Sequence, residues 1–285
     1  MIDLHCHSSA SDGTVPPEDL PDLAVQNNLT AIALTDHDTA DGLQRFLEAG
    51  KKIPNLTCIP GIELAGSGKY ANHLHIVGLF LDPNKAQLIE ATNQLLRYRH
   101  KRNKAILVKL AELGMHLDYD EIIQNNQGAA IGRPHIVAAL VKHGYVKNHK
   151  VAYDKFVGRS KPAYVTRQVF PLQQVINLMH DSGGIAIWAH PMSNGCRTGS
   201  KTLAIATELK TMGLDGLEAY HTDHKITHQT HLIEIAKKLD LVISGGTDFH
   251  GEAHPDTKLG IGTGNLNIPD HLVDGLIAAH ARRHG

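Results

Sequence analysis

Five times along these 285 residues a short apolar run stops at a polar cluster holding histidine or aspartate. The runs are residues 1–4, 29–34, 184–189, 214–220 and 241–245. They end in His5-Cys6-His7, Thr35-Asp36-His37-Asp38, His190-Pro191, His221-Thr222-Asp223-His224 and Gly246-Thr247-Asp248-Phe249-His250. Helical stretches lie between them, through Leu20 to Ala24, Leu43 to Leu47, Leu172 to Met179, Leu203 to Met212 and Leu232 to Leu239, with a last one over about 269–282. Repeated strand–helix units predict a parallel sheet, most simply an α/β barrel folded as one unit. In such barrels the chemistry sits at the C-terminal ends of the strands.

The polar residues fall at those ends. Side chains alternate along a strand, so His5 and His7 share a face and Cys6 points away. Asp12 follows five residues after His7. Residues 56–60 and 61–64 read as a strand pair, with Glu63 set between Ile62 and Leu64. A carboxylate there is costly to bury unless it is paired or binds a cation. Residues 73–79 form a further strand with His73 and His75 at alternate positions. His5, His7, Asp12, His37, Glu63, His75, His190, Asp248 and His250 therefore occupy similar places relative to their strands, which predicts a preformed cation site. Imidazole and carboxylate without thiolate suit Mn, Fe or Zn, and Mg less well. The chain has 21 His against 5 Phe and 1 Trp, and histidine is the commonest metal ligand.

From about residue 84 the period changes. Leu88, Leu95, Leu96, Ile106, Leu107 and Leu110 suit a long helix or two in line, ending near Gly114. Further helical sequence runs to about 162. It includes Gly132-Arg133-Pro134-His135, with proline placed for a first helical turn. We expect residues 97–162 to be an inserted helical subdomain, and residues 1–96 with 163–285 to form the barrel. The formal net charge of −1 hides a division: residues 97–167 hold 14 Lys and Arg against 5 Asp and Glu, and the rest holds 14 against 24. A basic insert on an acidic body bears on ligand choice. Three cysteines cannot all pair, and no segment is apolar for long enough to span a bilayer. The first residues carry no export signal, so a reducing, cytoplasmic setting is expected.

Asp3-Leu4-His5-Cys6-His7, Thr35-Asp36-His37-Asp38, Gly61-Ile62-Glu63, His75-Ile76-Val77-Gly78, Ala189-His190-Pro191 and Thr247-Asp248-Phe249-His250 resemble the motifs of the polymerase-and-histidinol-phosphatase family of metal-dependent phosphoesterases. The resemblance spans almost the entire chain. Gly132-Arg133-Pro134-His135 and Lys161-Pro162-Ala163-Tyr164-Val165 are similar to the branch acting on nucleoside 3′,5′-bisphosphates and trimming short RNA from the 5′ end. The resemblance implies a distorted seven-stranded β/α barrel with three metal ions; two to three bound divalent ions are expected, manganese foremost among those the ligand set suits. It implies that His5, His7, Glu63 and Asp248 hold one ion, Asp12, His37 and His250 a second, and Glu63, His75 and His190 a third, with Glu63 bridging. A metal-bound hydroxide held by Glu63, Asp248, His5 and His7 is the expected nucleophile, because adjacent metals acidify a bridging water and neutralise phosphoryl charge.

Arg133 and His135 stand at a helix start, where backbone N–H groups favour anions. The same residues also suit a plain capped helix with a solvated arginine. His224 matches a phosphate-contacting position of the similar branch. Arg197 and Lys201, in a glycine-rich loop, are further candidates, and an ordinary loop fits them as well. His221, His73, Asp36 and Asp38 suit partners that orient ligands. The expected substrate is a small phosphorylated nucleotide or short RNA, with no DNA duplex, membrane or obligate protein partner. Histidinol-phosphate phosphatase, cyclic phosphodiesterase, a C–N hydrolase on a similar barrel and a non-catalytic metal-bound scaffold are the alternatives.

Overall fold

The structure is a computed structural model and describes residues 1–69, 73–126, 128–193 and 199–285. The short apolar runs become strands: β1 (Ile2–Cys6), β2 (Ala31–Leu34), β3 (Thr57–Ser67) and β4 (Leu74–Leu79), then the two-residue β5 (Phe170–Pro171), β6 (Ile185–Trp188), β7 (Gly216–His221) and β8 (Val242–Gly246). Hydrogen bonding gives the order β1-β2-β3-β4-β6-β7-β8, with β5 beside β3. β1 and β8 close the ring: the Asp248 N–H donates to the His5 carbonyl at 2.9 Å, and the His7 N–H to the Phe249 carbonyl at 2.8 Å. This is a nearly closed seven-stranded barrel. Every residue of β2 and β6 is buried, as expected for strands covered on both faces.

Two strand expectations change. Residues 57–67 form one continuous strand, not a pair. β4 runs antiparallel to both β3 and β6, pairing His75 with Ala65 and Ile76 with Trp188. His75 therefore sits near the N-terminal end of its strand. Because β4 is reversed, that end lies on the rim formed by the C-terminal ends of its neighbours.

On the outside, α1 (Leu20–Gln26) and α2 (Leu43–Gly50) pack Leu20, Ala24, Leu43 and Phe46 against Ile32 and Leu34. The long α3 (Ala86–Glu112) has 27 residues and is about 40 Å in length. Gly114, at φ +80°, closes it, with the Met115 N–H returning to the Leu110 carbonyl. α4 (Tyr119–Asn125), α5 (Arg133–Lys142) and the single turn α6 (His149–Ala152) follow. Pro134 stands in the first turn of α5, where its missing N–H costs nothing. α7 (Leu172–Asp181), α8 (Gly199–Thr211), α9 (Ile226–Leu239) and α10 (Leu272–His284) complete the barrel coat.

α3 takes part in two apolar cores. Leu88 and Leu95 join the barrel-side core with Val175, Met179 and Leu209. Ile106, Leu107 and Leu110 join a separate core with Ile136, Leu140, Val157 and Ala163. Between them, Arg99, Arg102 and Asn103 are buried. Among the described residues no helix is long and apolar enough to cross a membrane.

Candidate metal centre

The strand ends deliver one compact cluster. The rings of His5 and His7 lie side by side, centroids 5.3 Å apart, while Cys6 turns outward and donates its S–H to the Ala33 carbonyl. One extra residue on β1 between Asp3 and Cys6, and another on β7 between Glu218 and Tyr220, make bulges on either side of the site. Bulges of this kind re-aim side chains. Glu63, 1% exposed, is the hub. His37 Nδ1 and His75 Nδ1 each lie 2.7 Å from its carboxylate, His190 Nε2 3.0 Å, and the Nε2 atoms of His5 and His7 3.5 Å. Asp248 Oδ1 lies 3.0 Å from His7 Nε2 and 3.5 Å from His5 Nε2. Asp12 Oδ1 is 3.4 Å from His250 Nε2. His190 and Asp248 hold positive φ angles, +31° and +58°. Non-glycine residues rarely adopt these, and such strain collects at functional sites.

Three groups have ligand atoms within 4.8 Å of one another: His7, Asp12, His37 and His250; His5, His7 and Glu63; and His37, Glu63 and His75. Several of these atoms lack a well-directed hydrogen-bond partner, including His5 Nε2, both ring nitrogens of His7, Asp12 Oδ1, Glu63 Oε2 and Asp248 Oδ1. A buried polar atom left unpaired costs about 1–3 kcal/mol. So many, pointing at common centres, fit cations.

The electrostatics agree. Burial, His250 and His37 push His7 down to about 3, so its ring is neutral and one nitrogen offers a lone pair. Burial opposes charge on His250, but Asp248 and Asp12 outweigh it and lift the ring to about 10. Burial likewise opposes ionisation of Glu63, yet His37, His75 and His5 hold its carboxyl well below the usual range. The carboxylates thus call for positive charge, which protonated rings or cations can supply.

The PHP domain family model matches residues 3–158, more than half of the chain. The chain belongs to the PHP domain family. A 5′-3′ exoribonuclease of Haemophilus influenzae is 32% identical, over 95% of this chain and 96% of its own. A 3′,5′-nucleoside bisphosphate phosphatase of Chromobacterium violaceum is 29% identical, over 91% and 90%. Among solved structures, a Bifidobacterium adolescentis protein assigned as a metal-dependent phosphoesterase superposes with a TM-score of 0.85 at 27% identity, over 98% and 96%. These relatives are hydrolases of phosphate esters.

In this PHP chain all nine residues expected as ligands stand around the cluster, although Asp248 and His190 fall outside the three tightest groups. Glu218 was missed. Its Oε1 lies 3.0 Å from His5 Nδ1, and its Oε2 accepts the His190 N–H at 2.7 Å, so it orients two of the nine. The signal was present, since Leu217-Glu218-Ala219 repeats the apolar–carboxylate–apolar pattern of Glu63. His221 accepts the Asp223 N–H at Nδ1, 3.1 Å away, and its Nε2 lies 3.8 Å from Asp248 Oδ2. Asp36 accepts from the Ser8 N–H and from the hydroxyls of Ser8 and Ser11, fixing the loop that carries Asp12.

The substrate candidates divide. His135 Nδ1 accepts the Gly132 N–H at 2.9 Å, and its ring also bonds the Ser11 backbone. His135 thus ties α5 to the Asp12 loop. His224 is buried, with Nδ1 bonded to the Ala219 carbonyl and Nε2 accepting the Met192 N–H, so neither ring nitrogen faces a ligand. Arg197 lies outside the described residues, and Lys201 lies in α8. Arg133 donates to the Val157 carbonyl and stacks between Tyr153 and Tyr164, 5.9 and 5.7 Å from their centroids. Arg99 and Arg167 both converge on buried Asp38. Arg102 was not singled out by sequence. It is 8% exposed with Nε unpaired. Burial, Arg99 and Arg133 push it down to about 9, Tyr119 and Tyr153 oppose them in part, and it makes no ion pair among the described residues.

Proposed function

We propose that this PHP protein is a phosphohydrolase whose preferred substrates are nucleoside 3′,5′-bisphosphates and short 5′-phosphorylated RNA. The observation that carries the substrate class is Arg102, a buried cation with no acidic partner among the described residues, beside Arg99 and Arg133. A buried charge is tolerated poorly unless something pairs with it. A phosphate group is the partner that the names of the relatives suggest.

In this reading His5, His7, Asp12, His37, Glu63, His75, His190, Asp248 and His250 hold two to three divalent ions, with manganese preferred for its fit to imidazole and carboxylate. When bound, such ions supply Lewis acidity that acidifies water and neutralises phosphoryl charge. The protein's own groups do the rest. Glu218 fixes the ring of His5 and the backbone of His190. His221, with Nδ1 held by the Asp223 N–H, sets its Nε2 beside Asp248. That cavity, of about 190 Å³, is lined by His37, Glu63, His75, His190, Ser193, His221, Asp223 and Asp248. Ligand pockets for drug-sized molecules usually exceed ~300 Å³. The reacting phosphate therefore enters and the nucleoside stays outside, under the insert. Arg102 and Arg133 then bind the phosphate that is not cleaved. We assign residues 97–162 to this lid, with α3 as the rod joining lid and barrel.

Phosphate release from a panel of nucleoside 3′,5′-bisphosphates, nucleoside monophosphates, cyclic phosphates and histidinol phosphate tests the proposal. The bisphosphates should show the highest kcat/KM. A monophosphate or cyclic ester turned over faster would remove the role given to Arg102 and Arg133.

A further inference from the structure

The segment from residue 147 to 167 carries six Lys and Arg and a single acid, Asp154. Lys150 takes that acid at 2.5 Å. Lys155, Arg159 and Lys161 are exposed, and none of them makes an ion pair among the described residues. The segment begins at the mouth. Tyr153 lies within electrostatic reach of Asp12, Arg102 and Arg133, and Arg159 within reach of His73, two residues before His75. The backbone here is fixed: the Gly158 N–H returns to the Tyr153 carbonyl, Ala163 N–H to Phe156, and Arg133 grips Val157. Three cations without an ion pair among the described residues are thus displayed on a hydrogen-bonded ridge anchored to Arg133. A basic face on a solvated surface is common, but this one starts where a substrate would leave the site.

We propose that Lys155, Arg159 and Lys161 form a track for the RNA that trails behind the 5′ nucleotide, binding its phosphates without regard to sequence. The inference rests on the phosphohydrolase reading above and deepens it by assigning the residues that hold the RNA beyond its first nucleotide. The occupant is a single strand, because a cavity of about 190 Å³ admits one phosphate group and not a duplex end. The contacts are to phosphates and positional, since lysine and arginine on an exposed ridge neutralise backbone charge and read no bases. A free bisphosphate has no trailing backbone and does not touch the ridge.

The test compares two substrates in the full, metal-loaded protein: a nucleoside 3′,5′-bisphosphate and a 5′-phosphorylated hexaribonucleotide. The variants are the triple K155A/R159A/K161A and its conservative control K155R/R159K/K161R. The triple alanine variant should lose roughly 10-fold or more in kcat/KM on the hexamer at low salt, mostly through KM. Its plot of log kcat/KM against log salt should be shallower by about 2, from ~0.7 per charge on a single strand over three charges. The bisphosphate should be turned over as in the wild type, and the control should retain both activities. Equal loss on both substrates would overturn the track, because the residues would then act at the reaction centre or in folding. No loss on the hexamer would overturn it as well. If the wild type cleaves the bisphosphate and leaves the hexamer intact, the track and the RNA part of the proposed function are refuted while the bisphosphate part stands. If it cleaves neither, the proposed function itself fails.

Discussion

Replacing Arg102 with methionine should make the free protein more stable and the enzyme worse. Arg102 is buried, and its charge is opposed by burial, Arg99 and Arg133. A guanidinium normally near 12.5 is pushed down to about 9. At ~1.36 kcal/mol per pKa unit, this corresponds to about 5 kcal/mol of unfavourable energy for the charged form. That is an upper limit, since water at the mouth screens part of it. The sign is clear: below about pH 9 the side chain is charged in both states, and only the folded state bears the cost. Methionine keeps an unbranched apolar stem at this buried position. We expect a gain of roughly 1–2 kcal/mol at pH 7, a rise in Tm of a few degrees, with the gain shrinking above pH 9. Loss of a charge-assisted phosphate contact, about 1.5–3 kcal/mol, should lower kcat/KM for a bisphosphate by roughly 10- to 150-fold. An aryl monophosphate, with no second phosphate to hold, should lose far less. Differential scanning calorimetry and steady-state kinetics on the same preparation decide the matter. A destabilised variant that loses both substrates equally would refute the argument, since Arg102 would then be a paired structural residue.

Other expectations follow from the same geometry. Glu63→Gln should lose both metal and turnover, more severely than any single histidine change, because one neutral amide replaces the carboxylate that five imidazoles approach; full metal content by mass spectrometry would contradict this. Cys6→Ala should keep its metal content, since Cys6 donates to Ala33 on the far side of β1; metal loss in a folded variant would show that the strand is read wrongly. Asp215 is opposed by burial, but His180, the Ala186 N–H and Arg283 hold its carboxyl low. That stability is present above the ordinary aspartate pKa and is lost as pH falls through the depressed one. Asp215→Asn should therefore flatten the acid limb of a denaturation series by about 1–3 kcal/mol, and an unchanged limb would rule out the contribution.

Much of the site could be read from sequence because strand alternation is a local rule. His5, Cys6 and His7 needed only the two-residue period, and Gly132-Arg133-Pro134-His135 announced its own helix start. The reversal of β4 was harder, as residues 73–79 look the same in either direction. A clue lay in the connection: only residues 68–73 separate β3 from β4, and a parallel crossover needs about a dozen or more. Arg102 also left a trace. Leu88, Thr92, Leu95, Arg99, Arg102, Ile106 and Leu110 follow helical spacing, so two arginines occupy positions in a buried stripe. A basic run hides this, because Arg97, His100, Lys101 and Lys104 between them are exposed. Glu218 shares the local apolar–carboxylate–apolar pattern of Glu63, but its partner, His5, lies 213 residues away and only the fold brings the two together.

The central claim is that the cluster around Glu63 is a multinuclear metal site that drives phosphate ester hydrolysis. Elemental analysis of protein produced with added manganese, paired with phosphate release from a nucleoside 3′,5′-bisphosphate, tests it most directly. The account predicts two to three tightly bound equivalents, activity that falls with their removal by chelator, and recovery when manganese is restored. Folded protein that releases phosphate at full rate with less than one equivalent of metal would contradict it.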